Sequence, residues 1–227
     1  MSRRIWIFLI FIEGLILASS CKNDDIKNNL PLTDIEGNVY QTVTIGTQVW
    51  MVENLKTTRY NDGTAIPKLP DTISLENIVR PGYCWYNNDS ATFKSTYGAL
   101  YNWYTINTGK LCPKGWHVPE QSEWETLISC LGGQFVAGAK LKESGTEHWL
   151  SPNKDADNSS GFNALPGGYY TSIGKGSYNL GNYGYYWSAT ESGEASACYL
   201  RLCSDYSDAP LYFFYKMEYY SIRCVKD

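Results

Sequence analysis

The chain has 227 residues, 19 basic and 23 acidic side chains, a formal charge of −4, and 15% aromatic residues, among them 19 tyrosines and 8 tryptophans. An acidic balance of this kind argues against nucleic-acid recognition through a basic face. With only His117 and His148 a multi-histidine metal centre is excluded, and the length suits one domain able to bury a sizeable core.

The first 20 residues combine Arg3 and Arg4, an apolar run from Ile5 to Leu17, and small residues before Cys21. This order is that of a signal peptide, and the run is too short and too interrupted, by Glu13, to span a bilayer. Leu17-Ala18-Ser19-Ser20-Cys21 resembles a lipobox, which makes Cys21 a lipidation site and the membrane a partner through the lipid. Losing Arg3, Arg4 and Glu13 leaves 17 basic against 22 acidic residues, a charge of −5. Residues 21–33 read as the lipidated cysteine and a polar tether. The Lys22-Asn23-Asp24-Asp25 stretch resembles the acidic tag of surface-exposed lipoproteins in Bacteroidetes-type bacteria, so the chain is expected at the outer membrane, facing outward. The domain is expected to occupy residues 34–227.

Alternation through Val39, Val43, Ile45, Val49 and Met51 about Gly46-Thr47 predicts a hairpin over 38–55. Residues 60–81 read as a long loop leading into a short strand at 83–86. Leu100, Trp103, Tyr104 and Asn107 fall at helical spacing, which predicts a helix over 97–107. A second helix is expected over 120–131: Pro119 opens it, Trp124, Leu127, Ile128 and Leu131 form its stripe, and Gly132-Gly133 ends it. A short helix over 136–143 and a long polar loop follow, and then the chain is rich in strand-forming residues to its end. Two or three helices between a hairpin and a run of strands predict a single α+β domain with a mostly antiparallel sheet.

Ordered motifs run through the chain: Tyr97-Gly98-Ala99-Leu100-Tyr101-Asn102-Trp103, Cys112-Pro113-Lys114-Gly115-Trp116-His117-Val118-Pro119, Ala137-Gly138-Ala139-Lys140-Leu141-Lys142, Ser160 to Gly168, Trp187-Ser188-Ala189-Thr190-Glu191 and Arg223-Cys224-Val225-Lys226-Asp227. Together they resemble the Fibrobacter succinogenes major paralogous domain family. The stretch from His117 to Trp124 is also similar to the formylglycine-generating, sulfatase-modifying group. That second similarity implies a C-type-lectin-like fold. Glu120 stands where both groups have Ser or Thr as helix N-cap. Because Cys112 and Cys224 lie in the shared motifs, a Cys112–Cys224 disulfide is expected.

Four groups of residues carry candidate chemistry. His117 is expected to be a hydrogen-bonded residue orienting its turn. Cys198 and Cys203 resemble the copper-binding pair of the formylglycine-generating oxidases, although residues five apart on a flat strand point to opposite faces. Asp155, Asp157 and Asn158 offer oxygen ligands for calcium, but Gly161 comes late and Pro166 stands where an EF-hand needs Glu. Tyr169, Tyr170, Tyr178, Tyr183, Tyr185 and Tyr186, set among glycines, read as an exposed ring cluster able to stack on sugars or anchor a protein. The resulting expectation is a non-catalytic surface module binding an extracellular glycan or protein without a cofactor. A cysteine-dependent, copper-binding oxidase is the second reading.

Overall fold

The computed structural model describes residues 31–69 and 79–227; the expected signal peptide, the expected lipidation site Cys21 and residues 22–30 lie outside them. Fourteen strands and four helices are described. The strands, in chain order, are β1 (Leu32–Thr33), β2 (Val39–Tyr40), β3 (Thr42–Ile45), β4 (Gln48–Met51), β5 (Tyr83–Cys84), β6 (Leu100–Asn102), β7 (Trp116–His117), β8 (Tyr169–Thr171), β9 (Gly176–Tyr178), β10 (Tyr183–Ser192), β11 (Ser196–Cys203), β12 (Leu211–Tyr215), β13 (Tyr219–Tyr220) and β14 (Val225–Lys226). The helices are α1 (Ser90–Tyr97), α2 (Trp103–Ile106), α3 (Gln121–Cys130) and α4 (Gln134–Leu141). Among the described residues no helix is long and apolar enough to cross a membrane.

The strands form four antiparallel sheets in the orders β1-β2, β3-β4-β14-β7, β5-β6-β13-β8-β9 and β10-β11-β12. The domain is thus α+β with mostly antiparallel sheets, and it carries four helices rather than two or three. The predicted hairpin is β3–β4, turning at Gly46, whose φ of 60° suits a residue without a Cβ. The predicted helix over 97–107 is instead the end of α1, strand β6 and the single turn α2. Gly98 ends α1 at φ 73°, and a Cβ there would crowd the Leu55 carbonyl. The chain beyond it is drawn between β5 and β13.

Helix α3 matches its sequence signals. Glu120 N–H donates to the Glu123 carboxylate at 2.9 Å, and Gln121 N–H donates to Thr190 Oγ1 at 2.9 Å. Glu120 and Glu123 thus form a reciprocal capping box in place of the Ser or Thr cap, and Thr190 of β10 adds a bond to the first helical N–H from outside the helix. Thr190 reaches it because the β10–β11 register shifts between Trp187 and Glu191. In that irregular stretch Ala189 N–H donates to Pro119 O and Trp103 Nε1 donates to Ser188 O. The Trp187-Ser188-Ala189-Thr190 motif is thus a joint between sheet and helices.

Two buried cations tie loops to the core. Arg223 is fully buried; it donates to Asn54 Oδ1 and to the carbonyls of Met51, Phe162 and Asn163, and stacks on Phe162 at 4.7 Å. Lys142 Nζ donates to the carbonyls of Lys154, Cys203 and Tyr206, and burial lowers its pKa to about 8. Gly138 in α4 lets the backbone approach Asp208, whose carbonyl a Cβ would overlap. The expected disulfide is present: Cys112 and Cys224 are joined, 112 residues apart in sequence.

A ring-lined face as candidate binding site

The register of β10, β11 and β12 decides which side chains share a face. Tyr183 stands opposite Cys203, Tyr185 opposite Arg201, Trp187 opposite Tyr199, and Tyr199 opposite Tyr212. Directly opposed residues of an antiparallel pair lie on the same side of the sheet, so these rings and Arg201 form one surface. Its floor is buried: Trp187, Tyr199 and Tyr185 pack on Tyr220 at centroid distances of 4.4, 5.0 and 5.1 Å. Tyr169 joins it from β8, 5.2 Å from Tyr185, and Tyr178 from β9 lies 5.9 Å from Tyr169.

The upper rim is open. Tyr178 is 45% and Tyr212 39% exposed, while Tyr169, Tyr183 and Arg201 are half-buried. Arg201 lies between two rings, 4.5 Å from the Tyr212 centroid and 5.7 Å from that of Tyr183. Its Nη2 donates to the Tyr212 hydroxyl at 3.1 Å, and its Nε–H has no partner. A hydrogen bond with Cys203 and partial burial push the Tyr183 hydroxyl pKa up. The rim is therefore a row of rings immobilised by neighbours, with a guanidinium wedged among them.

Behind these rings sits Glu218, 1% exposed, accepting from Thr171 Oγ1 at 3.1 Å through one oxygen while the other has no partner. Burial outweighs that hydrogen bond and pushes its pKa up to about 7. The sign follows directly. A carboxyl raised from 4.5 favours the folded state when protonated, so its contribution is complete below pH 4.5 and is lost as pH rises through about 7. Glu218→Gln cannot ionise. In urea titrations from pH 4.5 to 8, the stability of the unaltered chain should fall relative to this variant by about 2–3 kcal/mol. Parallel curves would contradict a buried, neutralised acid.

Of the tyrosines read from sequence as an exposed cluster, Tyr169, Tyr178 and Tyr183 come together on this face. Tyr185 is 9% exposed and forms its floor, and Tyr186 is fully buried on the opposite side against Trp124 and Phe162. Strand β10 is covered on both faces, which local glycine content does not reveal. Tyr170 points the other way, edge-on to Tyr219 at 5.6 Å. Sequence reading missed Arg201, Tyr199, Tyr212 and Glu218. The alternation of Tyr199, Arg201 and Cys203 was a usable signal, but the strands opposite them were not known.

The other candidate chemistry does not assemble. Cys198 and Cys203 are both buried free thiols on opposite faces of β11: Cys198 lies on the side of Leu200 and Leu202, Cys203 on the side of Tyr199. Their odd separation on a regular strand keeps them from sharing one copper ion, and burial pushes the Cys198 thiol up to about 12. Asp155 accepts from Ser207 Oγ, Asp157 caps Ser159 N–H, and Asn158 is locked to Asn163, so these three calcium candidates are turned to separate partners. Among the described residues the ligating groups that do converge are Glu143, Glu147 and His148, within 4.8 Å of one another, with His148 Nδ1 already bonded to Glu143. His117 bridges Asp227 through Nδ1 at 2.7 Å and Glu123 through Nε2 at 2.9 Å. Partial burial opposes its charged form, but those two carboxylates prevail and raise its pKa. Both ring nitrogens are committed to orienting the turn before α3 and holding the last residue.

The model of the Fibrobacter succinogenes major domain family matches residues 43–226. No curated protein and no solved structure matches the chain. The C-type-lectin-like assignment and the likeness to the sulfatase-modifying group accordingly rest on the motif resemblance alone.

Proposed function

The chain belongs to the Fibrobacter succinogenes major domain family, and from that premise we propose that it is a lipid-anchored surface module that binds an extracellular glycan and turns nothing over. The observation that carries this reading is the rim of Tyr169, Tyr178, Tyr183 and Tyr212 with Arg201 held between two of its rings. Rings fixed side by side offer flat apolar planes to the C–H faces of a sugar, and the guanidinium and phenolic hydroxyls offer hydrogen bonds to its hydroxyls. A stable protein partner covers about 800 Å² per side, more than these five side chains present. The rim is also preformed, so little side-chain entropy is lost on binding.

The leader and Cys21 supply the address in this proposal: cleavage before Cys21, acylation of its thiol and amine, and display at the outer membrane with the tether as spacer. One experiment tests both parts. Cells producing the full chain, its Cys21→Ser form, or Tyr178→Ala/Tyr212→Ala are offered a panel of labelled glycans, with palmitate incorporation measured in parallel. The full chain should take up label and retain a glycan on the cells. Cys21→Ser should lose the label and the surface signal, and the tyrosine variant should keep the label while binding about 10- to 100-fold more weakly per lost ring. A tyrosine variant that binds as the parent does would place the site elsewhere.

A further inference from the structure

Strand β12 closes one side of the β10-β11-β12 sheet and has no neighbour on its other side among the described residues. Its sequence, Leu-Tyr-Phe-Phe-Tyr, has four rings on both faces that are exposed: Tyr212 39%, Phe213 48%, Phe214 43% and Tyr215 45%. Edge strands in natural proteins are ordinarily guarded by charge, proline or a bulge. Here Pro210 precedes the strand and Lys216 follows it, but Lys216 is buried, its Nζ bonded to Glu191 and to the carbonyls of Gly193 and Glu194. The edge is left without an exposed charge to guard it.

The register fixes which main-chain groups point outward. Arg201 N–H donates to Pro210 O and Lys216 N–H donates to Ala195 O, so in the alternating ladder Tyr212 and Phe214 bond to β11. Leu211, Phe213 and Tyr215 therefore turn their N–H and C=O groups away from the sheet, and among the described residues only the Tyr215 carbonyl of these has an internal donor, Glu218 N–H. Solvated as they stand, groups spaced in this way are a template for another strand, which a helix, with its backbone groups already paired, does not match.

We infer that this edge pairs, antiparallel and about a two-fold axis at Phe213, with the same strand of a second copy of the chain. The strand is self-complementary in that register. Phe213 exchanges both of its outward bonds with Phe213 of the second copy, and Tyr215 N–H donates to Leu211 C=O at either end. Side chains then meet as Tyr212 with Phe214, Phe213 with itself and Leu211 with Tyr215, pairs of rings and apolar groups with no charge opposed to another. Because Tyr212 lies on the ring-lined face, pairing sets the two rims side by side across one continuous sheet. Rings that bury roughly 150–250 Å² when fully covered, here somewhat under half exposed, leave on the order of 350 Å² per copy. That is below the roughly 600–1,000 Å² per side of stable complexes, so the dimer is a weak, reversible one.

The test is sedimentation velocity of the full chain in mild detergent, from about 5 to 500 µM, the range where so small an interface is half-occupied. A dimer fraction rising across that range is expected. Phe213→Pro removes the outward N–H without touching a bond to β11, and should weaken dimerisation by about ten-fold or more while leaving the circular dichroism unchanged. Should that variant misfold, single cysteines decide: Phe213→Cys should cross-link to itself under mild oxidation, because its mate stands directly opposite, and Tyr212→Cys should not. A chain that stays monomeric at the highest concentration and does not cross-link through residue 213 overturns the inference. So does equal cross-linking at 212 and 213, which would mean the register is not the one assigned.

Discussion

Removing the Cys112–Cys224 disulfide by changing both cysteines to Ala is expected to cost the domain about 4–5 kcal/mol. The bond joins the segment before α3 to the end of the chain, across a sequence separation of 112. In the chain-entropy account its contribution grows with the logarithm of the loop it closes, and a loop of this length sits near the upper end. Both cysteines lie in the core with Met51, Trp187 and Ile222, so two Ala side chains also lose some apolar contact. Thermal unfolding of the double variant should shift down by on the order of 10–15 °C. A shift of only a few degrees would mean that the other ties at the chain end, the β14 ladder and the His117 bridge, already hold it.

The second large effect is expected at Arg223. Changing it to Met keeps an unbranched chain of similar reach but removes every donor. Asn54 Oδ1 and the carbonyls of Met51, Phe162 and Asn163 then lose their bonds to the guanidinium in the core. Each buried acceptor left without a donor costs about 1–3 kcal/mol. Part of that is offset because a buried cation with no carboxylate partner among its bonds is no longer desolvated. A net loss of about 4 kcal/mol is expected, measured as the shift of the urea midpoint at unchanged slope. Arg223→Lys restores the charge and not the fork, and should recover less than half of the loss. A Met variant within about 1 kcal/mol of the parent would show that these carbonyls find other donors.

These two sites show why the motifs were informative about structure and quiet about function. Arg223 ties the Ser160–Gly168 motif to the chain end. The Trp187–Thr190 motif caps α3, and Gly138 admits the Asp208 backbone. The residues that carried the resemblance are joints of the fold. Helix α3 and the β3–β4 hairpin were legible because capping, period and turn chemistry agreed locally. The helix expected over 97–107 failed because Leu100, Tyr101 and Asn102 are recruited by strands on either side, and pairing with distant chain overrides a short helical period. The same blindness to distant pairing hid the site. Tyr178 and Tyr183 could be named from their surroundings, but Arg201 and Tyr212 join them only through the β10-β11-β12 register.

The most direct test of the ring-lined face is hydroxyl-radical footprinting of the full chain with and without the glycan that it retains best. Protection is predicted at Tyr169, Tyr178, Tyr183 and Tyr212, with the exposed residues Tyr206 and Phe135 as internal controls that do not change. Protection that falls on Tyr206 or Phe135, or that spares all four rim tyrosines while ligand is bound, would contradict it.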